Sequence, residues 1–156
     1  MEQIKWPFLK QTWGIEFESS KGAYLYTKDG RKILDAAGGA IVNNIGYGRE
    51  EVAEAISKAV INNSYILPPF LTPEREALLD ELRNHWLPPH LTRIHLSSGG
   101  SEANESAVKL AIQYQASRGK PEKNIILTRS LSYHGTTLNM SGISGHEARK
   151  RGLESY

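Results

Sequence analysis

The 156-residue sequence contains no cysteine, which excludes disulfide bonds, thiolate metal sites and a cysteine nucleophile. It has no apolar run of about 18 residues that could span a membrane. Its N-terminus lacks a basic segment followed by an apolar stretch, so no signal peptide is visible. Neither sign of charge dominates, since the net charge is +2, and nothing in the charge argues for a nucleic-acid partner. These absences predict a cytoplasmic protein without a membrane or nucleic-acid partner.

The N-terminal part of the chain reads as β-structure. Residues 15–35 predict short strands joined by turns, because Tyr24–Thr27 favours a strand and Asp29-Gly30 is a strong hairpin signal before Lys32–Leu34. The next segment, AAGGAIVNNIGYG (residues 36–48), is apolar and rich in glycine and has no clean period. Such a composition suits a backbone that packs closely against another segment.

The rest of the chain reads as helices followed by the start of an α/β layer. Apolar residues at helical spacing predict one helix from Arg49 to about Asn62. A second opens at Thr72-Pro73-Glu74, where threonine can cap the helix and proline takes its first position, and it ends before Leu87-Pro88-Pro89.

A βαβ unit is predicted next. Residues 93–96 (RIHL) read as a strand and Ser101–Ser117 as a helix, in which Glu105 and Lys109 would form an i,i+4 pair. Residues 124–128 (NIILT) read as a buried parallel strand. Two parallel strands do not complete a core, so the chain is expected to be a fragment or one part of a split protein.

Small residues stand at the mouth of the predicted third helix. Gly99, Gly100 and Ser101 lie where a helix exposes unpaired N–H groups and the positive end of its dipole, which suits a phosphate. The segment matches neither a P-loop nor G-x-G-x-x-G, so a phosphate-bearing ligand smaller than a nucleotide is favoured. The alternative is an ordinary helix capped by Ser98 or Ser101, with Glu105 a surface acid.

A second group of residues follows the NIILT segment. In SYHGTT (residues 132–137), Tyr133 could stack on a flat heterocycle and Gly135 would leave room for it. Ligands of open α/β sheets collect beyond the carboxyl ends of strands, where both turns are expected. The alternative is a tyrosine packed on the sheet edge beside a solvated histidine, His134.

The two turns together resemble a known family. GGSEANESAVKLA followed by SYHGTT is similar to the cofactor-binding half of class III (omega-type) aminotransferases, and DAAGGAIVNNIGYGREEVAEAI (residues 35–56) matches their glycine-rich N-terminal stretch. The resemblance runs from about residue 15 to 145. It implies an α/β protein, part of the fold-type-I architecture that binds pyridoxal phosphate (PLP). Residues 1–47 would be a β-rich segment of the small domain, and residues 48–156 the incomplete first part of the large PLP-binding domain.

The resemblance also assigns roles to individual residues. Gly100 and Ser101 would bind the cofactor phosphate, with Gly99 standing where the family often has serine or threonine. Tyr133 would stack on the pyridine ring, with His134 and Gly135 beside it. Two further positions are Glu102, a structural or cofactor-proximal acid, and Ile41, where many relatives place an aromatic residue of the substrate pocket.

The family's Schiff-base lysine and its pyridine-pairing aspartate have no counterpart in these 156 residues, since Lys109 falls inside the phosphate helix and Lys123 precedes a strand. The implied function is therefore part of an aminotransferase that moves an amino group between an amine or amino acid and a keto acid. The chain alone would be inactive, and a homodimer or a complementing chain would complete the site. Two alternatives stay open: another fold-type-I enzyme (racemase, mutase or decarboxylase), or a non-catalytic binding protein built on a half-domain.

The remaining candidates are histidines and tryptophans. His85, His90 and His95 are not paired with carboxylates at metal-ligand spacing, so they are interpreted as surface or core residues and no metal site is expected. Trp6 and Trp13 are expected either at a dimer interface or in an arm that docks on its own chain.

Overall fold

The computed structural model describes residues 14–152, so Trp6 and Trp13 lie outside the described residues. The chain divides between Leu78 and Leu79 into two compact units, and each unit is described by itself. The domain boundary expected between residues 47 and 48 stays a prediction.

The first unit contains a three-stranded antiparallel sheet in the order β1-β2-β3. Its strands are β1 (Phe17–Lys21), β2 (Tyr24–Thr27) and β3 (Lys32–Leu34). The predicted hairpin is confirmed, because the turn between β2 and β3 contains Gly30 at φ 84° and is closed by the Thr27 N–H, which donates to the Arg31 carbonyl at 3.0 Å.

The glycine-rich segment packs closely against this sheet, as its composition predicts. Tyr47 forms an isolated antiparallel bridge with Gly22. A Cβ on Gly46 would lie 3.1 Å from the Gly22 carbonyl oxygen, and one on Gly48 would lie 3.2 Å from that of Ser20. A short helical turn, α1 (Gly38–Ile41), precedes this contact and has left-handed backbone angles inside it.

Both predicted helices that follow are confirmed. Helix α2 runs over Glu50–Asn62, and α3 runs over Pro73–Glu81 and continues into one π-helical turn, Leu82–Trp86. The Thr72 hydroxyl accepts from the Arg75 N–H at 3.3 Å, which is the predicted threonine cap.

The second unit is built on a long helix. Helix α4 spans Gly100–Ser117, and two short helices follow it, α5 (Leu138–Ile143) and α6 (Glu147–Lys150). Its buried centre is Met140 and Ser144, which are 0% and 2% exposed. The Ser144 hydroxyl donates to the Met140 carbonyl at 2.6 Å, so this polar group is satisfied where it is buried.

The predicted strands at residues 93–96 and 124–128 are wrong as elements of this structure. Both segments lack a β-ladder, and no parallel pair exists anywhere in residues 14–152. A strand exists only when its N–H and C=O groups pair with a neighbouring strand, whatever its side chains favour. The NIILT segment accordingly leaves Ile125 and Leu127 82% and 92% exposed.

Over the same part of the chain, residues 14–152, every helix is too short or too polar to cross a lipid bilayer.

Candidate functional site

The start of α4 presents backbone N–H groups that nothing in the described chain uses. Gly99 is the N-cap residue in an extended conformation, and it makes no side-chain capping bond. The first N–H of α4 with an acceptor is that of Ala103, bonded to the Gly99 carbonyl at 3.0 Å. Within the described residues, the N–H groups of Gly100, Ser101 and Glu102 have no acceptor. The alternative of a serine-capped helix is therefore wrong, and the open donors suit an anion.

The second predicted turn lies directly against this helix. The Thr136 N–H donates to the Ser101 hydroxyl oxygen at 3.0 Å, although the two residues are 35 positions apart. A Cβ on Gly135 would lie 2.6 Å from that same oxygen and 2.9 Å from the Met140 Cβ. Only glycine allows this approach, so the close packing of the two turns requires a glycine at position 135.

His134 is anchored through its backbone on both sides. Its N–H donates to the Ser144 hydroxyl at 3.0 Å, and its carbonyl accepts from the Asn104 side-chain amide at 2.7 Å. The imidazole Nε2 is buried and has no hydrogen-bond partner within the described residues. The neighbouring Tyr133 is 55% exposed.

Glu105 is a site residue that the sequence interpretation missed. Its two carboxylate oxygens accept from the Thr137 hydroxyl at 2.6 Å and from the Asn139 amide at 3.1 Å. These donors, the Thr137 hydroxyl first, hold the pKa of the Glu105 carboxyl below its usual range. The predicted ion pair with Lys109 is wrong, because among the described residues Glu105 makes none. No sequence signal links Glu105 to partners more than 30 positions away.

Ile41, predicted to line the substrate pocket, belongs to the first unit. It is 80% exposed and has a φ of 71°, which is rare for a β-branched residue. Asp35 supports the turn that contains it: the Asp35 carboxylate accepts from the Ala37 N–H at 3.0 Å, the Gly39 N–H at 2.8 Å and the Tyr47 hydroxyl at 2.7 Å. The Tyr47 hydroxyl lowers the pKa of Asp35 and has its own pKa raised by the carboxylate.

In the part of the chain that the structure describes, no group of three potential metal ligands comes together. His85 lies on the π-helical turn with its Nε2 3.8 Å from a Glu81 carboxylate oxygen.

Solved structures share this fold. The chain superposes with a TM-score of 0.80 on an (S)-enantioselective omega-transaminase from Thermomicrobium roseum, at 30% identity, covering 88% of this chain and 31% of that one. A PLP-bound amine transaminase from an uncultivated Pseudomonas species gives a TM-score of 0.83 at 26% identity, covering 96% of this chain and 35% of that one. The fold is thus the N-terminal part of the PLP-dependent transferase architecture of fold type I. This confirms the expected α/β class.

The family follows from the sequence comparison. A family model described as Aminotransferase class-III matches residues 10–155, and the chain belongs to that family of PLP-dependent enzymes. The uncharacterized aminotransferase YodT of Bacillus subtilis is 36% identical over 84% of this chain, and a hypotaurine/taurine–pyruvate aminotransferase of Paracoccus denitrificans is 36% identical over 85%. The chain spans 30% and 29% of the lengths of these two relatives.

Proposed function

We propose that this chain forms the phosphate- and ring-binding part of a PLP-dependent aminotransferase that exchanges an amino group between an amine or amino acid and a keto acid. The observation that carries the proposal is the open N-terminus of α4, whose free N–H groups lie beside the Ser101 hydroxyl and the Gly135-Thr136 backbone.

The residues at this end of α4 fit a phosphate monoester. Gly100, Ser101 and Glu102 offer unused N–H groups at the positive end of an 18-residue helix. The Ser101 oxygen accepts from the Thr136 N–H, which leaves the hydroxyl proton of Ser101 available to a phosphate oxygen. Gly100 allows a ligand to approach the backbone closely, since a Cβ there would meet no atom within 4 Å. At Gly99 the Glu102 carboxylate is near, because a Cβ on Gly99 would lie 3.0 Å from a Glu102 carboxylate oxygen.

The adjoining turn fits an aromatic heterocycle. Tyr133, which is 55% exposed, is proposed to stack on the pyridine ring, and stacked rings prefer an offset arrangement. His134 is held by two backbone hydrogen bonds next to Tyr133, and its buried Nε2 has no hydrogen-bond partner within the described residues. When bound, PLP supplies an electron sink for the negative charge that develops at the substrate carbon. The chain's own contribution is to hold the cofactor at both ends.

The substrate side of the proposal depends on Ile41. Many relatives have an aromatic residue at the position of Ile41. Isoleucine offers no ring for a substrate to stack on, and its apolar surface is smaller. We propose a donor with an aliphatic side chain in contact with Ile41, and a keto acid acceptor. The test is to compare the amine substrates preferred by the unmodified protein and by an Ile41→Phe variant. The aromatic ring of the variant would favour aryl-substituted amines.

The proton-transfer chemistry is proposed to come from a lysine outside residues 1–156. Lys109 lies on α4 beyond its N-terminal end, and Lys123 follows that helix in the chain, so neither stands in the turn at residues 133–137. A homodimer or a complementing chain in the cytoplasm would complete the site, and residues 1–156 alone would bind the cofactor without turnover.

The test is amino transfer by the protein as its gene encodes it, with PLP, a panel of amines and a keto acid. We expect the keto acid to be converted to its amino acid, and Ser101→Ala to weaken PLP binding about tenfold through one lost hydrogen bond to a charged group. Racemised or decarboxylated product without amino transfer would support the other fold-type-I enzymes. Absence of PLP binding would overturn the proposal.

A further inference from the structure

We propose that Glu105 is a positioning residue: it holds the ring-side turn, residues 133–137, against the phosphate end of α4 and thereby sets the distance between the two halves of the cofactor site. This inference rests on the proposed function, because it names the residue that aligns that same site. Glu105 contacts neither a phosphate nor a ring itself.

The contacts place Glu105 at the junction of the two segments. From one turn of α4 its carboxylate reaches Thr137, at 2.6 Å, and Asn139, at 3.1 Å. Thr137 is the N-cap residue of α5 and makes no capping bond with its own side chain. Its hydroxyl is therefore committed to Glu105 rather than to its own helix.

The contacts at this junction leave the turn at residues 133–137 little conformational freedom. Thr136 bonds Ser101, and the Asn104 amide bonds the carbonyl of His134, so two further cross-links lie beside the carboxylate. Gly135 lies so close to Ser101 that a Cβ would overlap it. Ser101 and Glu105 stand four residues apart and so lie on one face of α4. The turn is thus held by α4 at three points: Asn104 bonds His134 near its start, and Ser101 and Glu105 bond Thr136 and Thr137 at its end.

The partners of Glu105 predict which substitutions will be tolerated. Asn139 can only donate through its amide nitrogen, whereas the Thr137 hydroxyl can donate or accept. Glu105→Gln can therefore keep both contacts, with its amide donating to Thr137 and its carbonyl accepting from Asn139. Glu105→Ala loses both contacts. Asn139→Asp sets two carboxylates against each other, and the double variant Glu105→Gln with Asn139→Asp replaces that repulsion with an amide–carboxylate hydrogen bond.

The experiment compares the affinities of PLP and pyridoxal, which lacks the phosphate, in the protein as its gene encodes it. A correctly spaced site binds PLP more tightly than pyridoxal because phosphate and ring engage together. We expect Glu105→Ala and Asn139→Asp each to reduce this preference about tenfold, Glu105→Gln to reduce it less, and the double variant to recover most of what Asn139→Asp loses. Glu122→Ala is the control, since Glu122 is exposed in the same unit and makes no ion pair within the described residues.

The outcomes separate the two proposals. If the unmodified protein binds PLP and pyridoxal equally, the proposed function fails. If it prefers PLP and the Glu105 and Asn139 variants keep that preference, the inference about Glu105 alone is overturned. A variant that lowers the thermal unfolding midpoint but leaves the preference unchanged also overturns it, because Glu105 would then stabilise the fold without aligning the site. Circular dichroism of each variant at the binding temperature confirms that the measured protein is folded.

Discussion

Gly135 is the residue at which the two turns of the site come closest. Its φ is 147°, and a Cβ there would lie 3.0 Å from the Ser101 Cα and closer still to the hydroxyl. We expect Gly135→Ala to destabilise the protein by roughly 1–3 kcal/mol, the usual cost of overpacking, as measured by denaturant unfolding. An unchanged unfolding midpoint would contradict the close approach.

A substitution at Gly100 is expected to change ligand binding and not stability, the opposite of the effect at Gly135. A Cβ on Gly100 would meet no atom within 4 Å, so Gly100→Ala is expected to leave the unfolding midpoint unchanged or slightly raised. The added methyl group would stand at the proposed phosphate position and weaken PLP binding about tenfold, as measured by equilibrium titration. Full PLP affinity in this variant would remove Gly100 from the phosphate site.

Glu105 predicts a pH dependence of stability. Its pKa is lower in the folded protein than in the unfolded chain, so its stabilising contribution is present above the unfolded value of about 4.3 and is lost as the pH falls through the folded pKa. Thermal unfolding of the unmodified protein and of Glu105→Gln should differ at pH 7 and converge as the pH falls below about 4. A difference that is the same at every pH would mean that the carboxylate charge contributes nothing.

At the scale of elements, the turn around α1 contains Ile41 in a left-handed conformation, and the Asp35 carboxylate and Tyr47 hydroxyl support that turn. Ile41 and Val42 form a matched pair, since both are β-branched and are 80% and 82% exposed, yet their φ angles are 71° and −107°. We expect Ile41→Gly to stabilise the protein by about 1 kcal/mol through relief of backbone strain, and Val42→Gly to destabilise it by a similar amount. Equal effects in denaturant unfolding would contradict a strained turn.

Elements that are defined by local patterns were predictable from the sequence. The period of apolar residues predicts α2 and α4, the threonine and proline predict the start of α3, and Asp29-Gly30 predicts the hairpin. The segments at 93–96 and 124–128 were not predictable in this way, because a strand depends on a partner that its own residues do not specify.

The site shows the same division between local and distant contacts. Gly99, Gly100 and Ser101 were predicted to lie at a helix N-terminus because the signal for one is local, and α4 begins there. Glu105 was paired with Lys109 because that neighbour is four residues away, whereas its actual partners, Thr137 and Asn139, are 32 and 34 residues away. The left-handed backbone of Ile41 was also missed, since nothing in its residue type favours a positive φ.

At the scale of the whole molecule, the chain belongs to the class III aminotransferases and spans about 30% of the length of its curated relatives. All the proposed cofactor contacts lie within the second unit, and the proposed substrate residue, Ile41, lies in the first. Cofactor binding by residues 99–101 and 133–135 is therefore the central proposal for this protein.

The most direct test of that claim is the ³¹P NMR signal of PLP bound to the protein, followed between pH 5 and pH 8. A phosphate held by the N–H groups of α4 is expected to stay fully ionised, so its chemical shift should not change with pH. Free phosphate monoesters titrate near pH 6, and a bound signal that follows that titration would contradict the account. The Gly100→Ala variant is predicted to restore the titration in part, because its methyl group keeps the phosphate away from the helix.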